Sequence, residues 1–457
     1  MIISIRLYLA IVAGKFVGFL IQIFGRGSGQ SAPGLIALKI YPRLIRDLSC
    51  QIEKKVVVSA TNGKTTTSEM IAQILKDNYD KYVHNSSGSN LARGIASALI
   101  ESADCQGNID AKFGVFEVDE AEFSNVTADI KPDVIILGNI FRDQLDRYGE
   151  IDEIAKKWQA TLEKISVKTV LAINADDPSL ASIANCFRGN KVFYGIKADN
   201  KIDNNNIEHA ADSIRCFQCG RILKYKTRMF SHLGDYYCTG CKKSRPRLDI
   251  WADNIKLGKK YIDFMFFDNK TIENVKINIL GAYNVYNALA SLVVSKVWEF
   301  NFHNTAKALS KFEPAFGRME EFVYGKNKFK IILIKNPTGA NTAVEILSKI
   351  KNKYIISSLN DNIADGTDIS WIYDVDFEEI GDVDKIVCMG KRKYDLALRL
   401  RYAGIDDGCI LIGDDYWQEI EKAGKKTMDD YVYILPTYTA MIELRKILEK
   451  RKIVDKI

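Results

Sequence analysis

Histidine is scarce in this chain: there are four in 457 residues, at positions 84, 209, 232 and 303. None stands in a recognisable elbow beside a cysteine, so a self-contained Cys–His nucleophile is not expected. The nine cysteines form no disulfide framework, because the only regular spacing among them is a metal pattern. No unbroken apolar run reaches the roughly 18–20 residues needed to span a bilayer. The opening stretch MIISIRLYLAIVAGKFVGFLIQIFGRG is interrupted by Arg6 and Lys15 and shows no small-residue cleavage site. It reads as an amphipathic helix that packs on the body of the protein or touches a membrane surface, in a chain expected in the cytoplasm. Strong charge bias is also missing, since Lys and Arg (64) barely exceed Asp and Glu (58). That suits an anionic ligand or surface without demanding nucleic acid. Internal repeats and low-complexity tracts are absent.

What is present is enough chain for roughly three domains. A helical segment over 1–50 ends in the Gly/Ser/Pro loop GRGSGQSAPG. Between 51 and 312, the runs KVVVS, FGVFEV, DVIILGNI and TVLAIN alternate with helix-length segments. Continuous apolar runs of this kind predict an α/β domain with a parallel sheet covered on both faces. A polar, basic, cysteine-bearing insertion interrupts it at about 205–249. From 313 to 457, FKIILI, YIISSL, DKIVCMG and YVYILP alternate with helices and predict a smaller α/β domain.

Two motifs carry chemistry. In VVVSATNGKTTTSEM (56–70) a strand runs through a small-residue loop into a helix. Loop amides and a helix N-terminus cradle phosphates; Lys64 adds positive charge near the β- and γ-phosphates, and Thr65 offers a hydroxyl to Mg²⁺. The nucleotide-binding candidates are Thr61, Asn62, Gly63, Lys64, Thr65 and Thr66. The glycine usual five places before Gly63 is Val58. The second motif is Cys216-x₂-Cys219-x₁₈-Cys238-x₂-Cys241, the spacing of a closed tetrahedral Cys₄ zinc ribbon with a structural role. Glu117 ends a strand and is a candidate Mg²⁺ ligand, since hard cations take carboxylate oxygens. Asn284 and Asn287 lie three apart on one helix face.

The loop ATNGKTTT, followed by FEVDEAEF, NIFRDQLDRYGEID, NADDP, GAYNVYNALA and GRME, resembles the Mur ligase family of ATP-dependent peptide-bond-forming enzymes. The resemblance implies a central P-loop domain, Asn287 reading the adenine edge with Asn284 beside it, and Arg318 neutralising the transferring phosphoryl group. The inserted ribbon, with IKNPTGAN and SLNDNIADGTDISWIYDVDFE, is similar to the MurT branch, the synthetase subunits of lipid II isoglutaminyl synthase. That implies ATP-dependent amidation of the D-glutamate α-carboxylate of lipid II through an acyl phosphate. The ammonia would come from a GatD-type glutamine amidotransferase partner in a heterodimer, working at the inner membrane surface. The implied cofactors are ATP, Mg²⁺ and structural Zn²⁺. The branch also implies that an aspartate of the DGxDxSW loop, here Asp368, completes the partner's Cys–His dyad as the third member of a triad; Asp365 in the same loop competes.

Three departures from ordinary Mur ligases stand out. Gln144 replaces a histidine, Trp158 stands where a carbamylated lysine is expected, and Lys335 replaces a ribose-facing aspartate. They put a second Mg²⁺ and an amino-acid acceptor in doubt. Two other readings stay open: an autonomous Mur or folylpolyglutamate-type ligase, and a zinc-ribbon NTPase dependent on nucleic acid. The weak charge bias disfavours the last, and no nucleic-acid partner is expected.

Overall fold

The computed structural model describes residues 5–24, 31–85, 89–142, 151–197, 213–258, 261–313, 318–425 and 431–454, with only the backbone described for Phe24, Ile151, Arg318 and Met319. Gln144 and the Arg318 side chain lie outside this description. The described residues up to Glu313, apart from Phe141 and Arg142, form one compact unit, and those from Arg318 onward form a second.

The first unit is built on a nine-stranded sheet. Its strands are β1 (Lys54–Ser59), β2 (Tyr82–His84), β3 (Phe113–Glu117), β4 (Val134–Leu137), β5 (Val170–Asn174), β6 (Lys191–Ile196), β9 (Ile250–Leu257), β10 (Ile262–Asp268) and β11 (Ile272–Ile277). Between β6 and β9 the chain forms a separate hairpin of β7 (Lys224–Phe230) and β8 (Leu233–Tyr237). The order across the sheet is β11-β10-β9-β6-β5-β4-β1-β3-β2. From β2 to β9 the neighbours are parallel, and β9, β10 and β11 add an antiparallel wing.

Burial follows from this. β3 and β4 are buried at every residue, so both sheet faces are covered there, as parallel strands require. β10 (IDFMFFD) instead alternates buried and half-buried residues, the mark of a sheet with one wetter face. The antiparallel wing was not foreseen from the sequence, because short alternating strands leave a weaker signal than continuous apolar runs.

Helices α1 (Ile5–Phe24), α2 (Ala32–Ile40) and α3 (Leu44–Ser49) belong to this unit. α4 (Lys64–Asn78) follows β1, and α5 (Ala92–Ser102) carries α2 on its surface. The two backbones nearly touch: a Cβ on Gly34 would lie 1.9 Å from the Arg93 carbonyl oxygen, and the Gly34 N–H donates to Ser97 Oγ at 2.9 Å.

The second unit holds a six-stranded sheet of β12 (Arg318–Tyr324), β13 (Asn327–Ile332), β14 (Lys353–Ser358), β15 (Val383–Met389), β16 (Ile410–Ile412) and β17 (Val432–Pro436), ordered β12-β13-β17-β14-β15-β16. Only the β12–β13 pair is antiparallel. Four of these strands coincide with the apolar runs read in the sequence.

β2 ends in His84, whose Nε2 is buried with no hydrogen-bond partner among the described residues. Burial pulls its pKa from 6.5 to about 4. The native state therefore favours the neutral ring. That contribution is complete above the unfolded pKa of 6.5 and is lost as pH falls from there toward 4. Lowering the pH from 7 to 4.5 should cost about 2–3 kcal/mol through this residue. Urea midpoints measured across that range should fall less steeply in His84→Leu than in the parent chain; equal slopes would clear His84 of the effect.

Candidate active site

β1 is buried from Lys55 to Ser59 and Val58 lies inside it, paired with Glu117 of β3 and Ile136 of β4. The altered opening of the phosphate loop is thereby explained. The strand runs on to Ser59 and the loop itself is only Ala60 to Gly63, so position 58 needs a core residue rather than a glycine. Gly63 has φ of +86°, where an L side chain is strained, and a Cβ there would fall 2.2 Å from Asn287 Oδ1. Glycine at this N-cap leaves the first amides of α4 without a side-chain cap, and the first turn holds no acid. Such an end attracts an anion.

Asn139, two residues beyond β4, holds the loop in shape. Thr61 N–H donates to its carbonyl at 3.1 Å, Asn62 N–H to its Oδ1 at 2.9 Å, and its Nδ2 to the Asn62 carbonyl at 2.8 Å.

Lys64 is buried. Its Nζ donates to Glu120 Oε2 at 2.9 Å and to the Ala60 carbonyl at 3.0 Å. Burial alone would lower the pKa of this ammonium, but Glu120, Asp119 and Glu117 outweigh it and the net shift is upward. Lys64 thus stays charged beside the loop. The Trp158 indole donates to the Glu120 carbonyl at 3.2 Å, and its ring packs against Phe123.

Thr65 Oγ1 donates to Glu117 Oε1 at 3.0 Å. Asn85 pins the Glu117 backbone from both sides, accepting its N–H at 2.9 Å and donating to its carbonyl at 2.8 Å. A hydroxyl and a buried carboxylate held side by side fit the oxygen preference of Mg²⁺. Asn287 and Asn284, on helix Asn284–Val297, are both buried. Asn287 donates to Asn284 Oδ1 at 2.8 Å and accepts from Thr67 Oγ1 at 3.3 Å. Thr66 is buried in the first turn of α4. One end of the sheet thus gathers Thr61 through Thr66, Glu117, Asn284 and Asn287. Glu120, Asn139 and Asn85 join them unforeseen; Glu120 stood in the quoted FEVDEAEF run, whereas the two asparagines are ordinary in sequence.

Cys216, Cys219, Cys238 and Cys241 converge beside the β7–β8 hairpin with all four Sγ atoms within 4.8 Å of one another. Four sulfurs at about 2.3 Å from a common centre lie about 3.8 Å apart, and the pairs Cys216–Cys241 and Cys219–Cys238 stand at 3.4 Å. The donor set and its spacing fit zinc. The apolar core here is small, with Leu223, Tyr236 and Ala181 around the cysteines, so a metal would supply much of the local stability.

The ribbon is tied to helix Asn284–Val297 through a buried acid that stood in the quoted NADDP run with no role of its own. Asp176 accepts from Arg245 Nη1 and from Tyr286 Oη, both at 2.8 Å, and from Ile196 N–H at 3.0 Å. Arg245 comes from the ribbon segment, and Tyr286 immediately precedes Asn287. Burial pushes the Asp176 carboxyl up, while Arg245 and the hydrogen bonds from Ile196 and Tyr286 offset part of the effect.

In the second unit, Asp365 is buried and accepts from both the N–H and the hydroxyl of Thr439. Asp368 is exposed, and its Oδ1 accepts from the Ser370 N–H at 2.8 Å. Cys388 is packed in the core and burial pushes its thiol up to about 12, so it is no nucleophile.

A parallel sheet with this loop and helix defines a Mur ligase-type enzyme. The Mur ligase middle domain matches residues 58–234, and the MurT ligase C-terminal domain matches residues 333–441. The pseudomurein peptide ligase type C of Methanothermus fervidus shares the fold, with a TM-score of 0.65 and 24% identity over 87% of this chain and 79% of that one. The lipid II isoglutaminyl synthase (glutamine-hydrolyzing) subunit MurT of Staphylococcus aureus strain COL is 33% identical, covering 92% of this chain and 93% of its own. Its counterpart from Streptococcus pneumoniae R6 is 33% identical over 99% of both. The chain belongs to the MurT family of ligases.

Removing Arg245 should strand the Asp176 carboxylate in the interior. Arg245→Ala is expected to cost about 3–5 kcal/mol, read as a lower denaturation midpoint of the metal-loaded chain. A midpoint unchanged from the parent would show that Asp176 does not depend on this partner.

Proposed function

We propose that this chain amidates the α-carboxylate of the D-glutamate in the lipid II stem peptide, using ATP and ammonia released by a GatD-type glutaminase partner. Its kinship over nearly the whole length with the named MurT subunits carries the substrate, and the Lys64 and Thr65 geometry supports the chemistry. A carboxylate is a poor electrophile until it bears a good leaving group. Its oxygen takes the γ-phosphoryl of ATP, ADP departs, and nitrogen then attacks the acyl phosphate carbon and expels phosphate. Phosphoryl transfer needs mainly positioning and charge neutralisation. Lys64 serves that on the phosphates, with Arg318 as the second cation. Thr65 and Glu117 would hold Mg²⁺, which neutralises phosphate charge. Asn287, with Asn284 behind it, is assigned to the adenine edge.

Ammonia is mostly ammonium at neutral pH, so it is best generated at the site by a cysteine nucleophile with a histidine base. Among the described residues no such pair is present, which favours a second polypeptide. Asp368 is the residue assigned to that partner's histidine. Both oxygens of Asp365 are engaged by Thr439, whereas Asp368 is open to solvent. The amino-acid ligase reading is weakened at Trp158, which is wholly buried against Phe123 and offers no amine for a carbamate.

The test is amidation of lipid II by the chain co-purified with its glutaminase. Asp368→Asn should abolish glutamine-driven turnover and spare turnover driven by ammonium salts. Lys64→Ala should lower both by about 10²–10³-fold. If Asp368→Asn left both activities intact, or removed both, the shared triad would be wrong. Undiminished amidation by Lys64→Ala would end the phosphate-loop mechanism.

A further inference from the structure

α1 is apolar apart from Arg6, Lys15 and Gln22, yet only one side of it is covered. Leu7, Ala10, Ile11 and Gly14 form the inner stripe and are buried against the body of the unit. At Gly14 the helices are so close that a Cβ would meet Ile100 of α5 at 2.8 Å and the Pro33 carbonyl of α2 at 3.3 Å. The opposite stripe is Tyr8, Leu9, Val12, Phe16, Phe19 and Ile23, each between 39% and 59% exposed. Steps of one, three and four residues place them along one helix face. α2, which packs against α1, also exposes Leu35, Ile36 and Ile40, each 37–41%. Apolar residues exposed in a row along one helix face mark an interaction site rather than ordinary solvent-facing protein.

Charge selects the occupant. Acidic residues are nearly as common as basic ones in the chain, yet none occurs before Asp47, while Arg6, Lys15, Arg26, Lys39, Arg43 and Arg46 precede it. Of these, Arg6, Lys39, Arg43 and Arg46 are exposed. Asp104 lies near Lys15 and Asp129 near Arg46, but the segment that carries the apolar face contributes only basic charges. Apolar and aromatic side chains on such a segment suit the headgroup zone of an anionic bilayer, where the rings sit at the boundary and the cations meet lipid phosphate. By length and composition α1 could cross a membrane. Its inner stripe argues otherwise, because spanning would strip Leu7, Ala10 and Ile11 from the protein and immerse Lys15 in hydrocarbon.

We propose that the outer face of α1, with α2 beside it, lies flat on an anionic lipid surface and holds the enzyme there. The proposal leans on the lipid II reading only for its purpose, since it would keep the enzyme on the membrane that carries the substrate.

The full chain should co-sediment with phosphatidylcholine vesicles containing phosphatidylglycerol, less so at raised salt, and poorly with phosphatidylcholine alone. Phe16→Glu combined with Phe19→Glu should weaken that binding about tenfold or more. Arg43→Glu with Arg46→Glu, at exposed positions, should erase the preference for phosphatidylglycerol and serves if the first variant misfolds. Failure of the parent chain to bind, or binding equal to that of both variants, overturns the proposal. So does resistance to alkaline carbonate extraction, the sign of a spanning helix. A dimer that the Phe16/Phe19 variant splits, with no vesicle binding by either, would assign the face to a second copy instead. The sedimentation needs no substrate, so vesicle binding without lipid II amidation would sink only the functional reading, and the reverse only this one.

Discussion

A buried ammonium must find its counter-charge inside the protein, and that requirement organises the candidate active site. Lys64 meets it with Glu120, three residues beyond β3, while its own backbone starts α4 after β1. The ion pair therefore fastens the ends of two adjacent parallel strands across the mouth of the phosphate loop. Removing one member would leave an uncompensated charge, a far larger penalty than the intact pair imposes. Trp158 and Asn139 are best understood as supports of this arrangement, one holding the Glu120 backbone and the other the loop opposite.

The same logic recurs a short distance away. Asp176 is wholly buried and tolerable only because Arg245, Tyr286 and a backbone amide converge on it. Its partners come from the cysteine-bearing insertion and from the helix that carries Asn287. The insertion is therefore more than an appendage, since it delivers Arg245 to the same buried acid that Tyr286 of helix Asn284–Val297 binds. A metal held by those four sulfurs would act on the site through position, not through chemistry of its own.

The N-terminal helices add a constraint of another kind. A helix with apolar residues on opposite faces has little solvent face to spare, and α1 uses one stripe on α2 and α5 while leaving the other open. Packing against the body and meeting a membrane, which the sequence offers as alternatives, are compatible once opposite stripes serve each.

What the sequence by itself determined were features carried by local spacing. The α/β class came from continuous apolar runs, the phosphate loop from a strand, small residues and Gly-Lys-Thr, and the four cysteines from their two short gaps. Each depends on neighbours a few residues apart, and so each is written in order along the chain. Tertiary structure alone decided the role of Val58 as a strand residue, the partnership of Lys64 with Glu120, the antiparallel wing, and the Asp176 clamp joining residues 176, 245 and 286. It also separated Asp365 from Asp368, two acids alike in composition and loop, by burying one under Thr439 and leaving the other in water. The reason is physical: pairing of buried charges and enclosure of a carboxylate depend on which distant segments fold over them, and no short stretch of sequence records that.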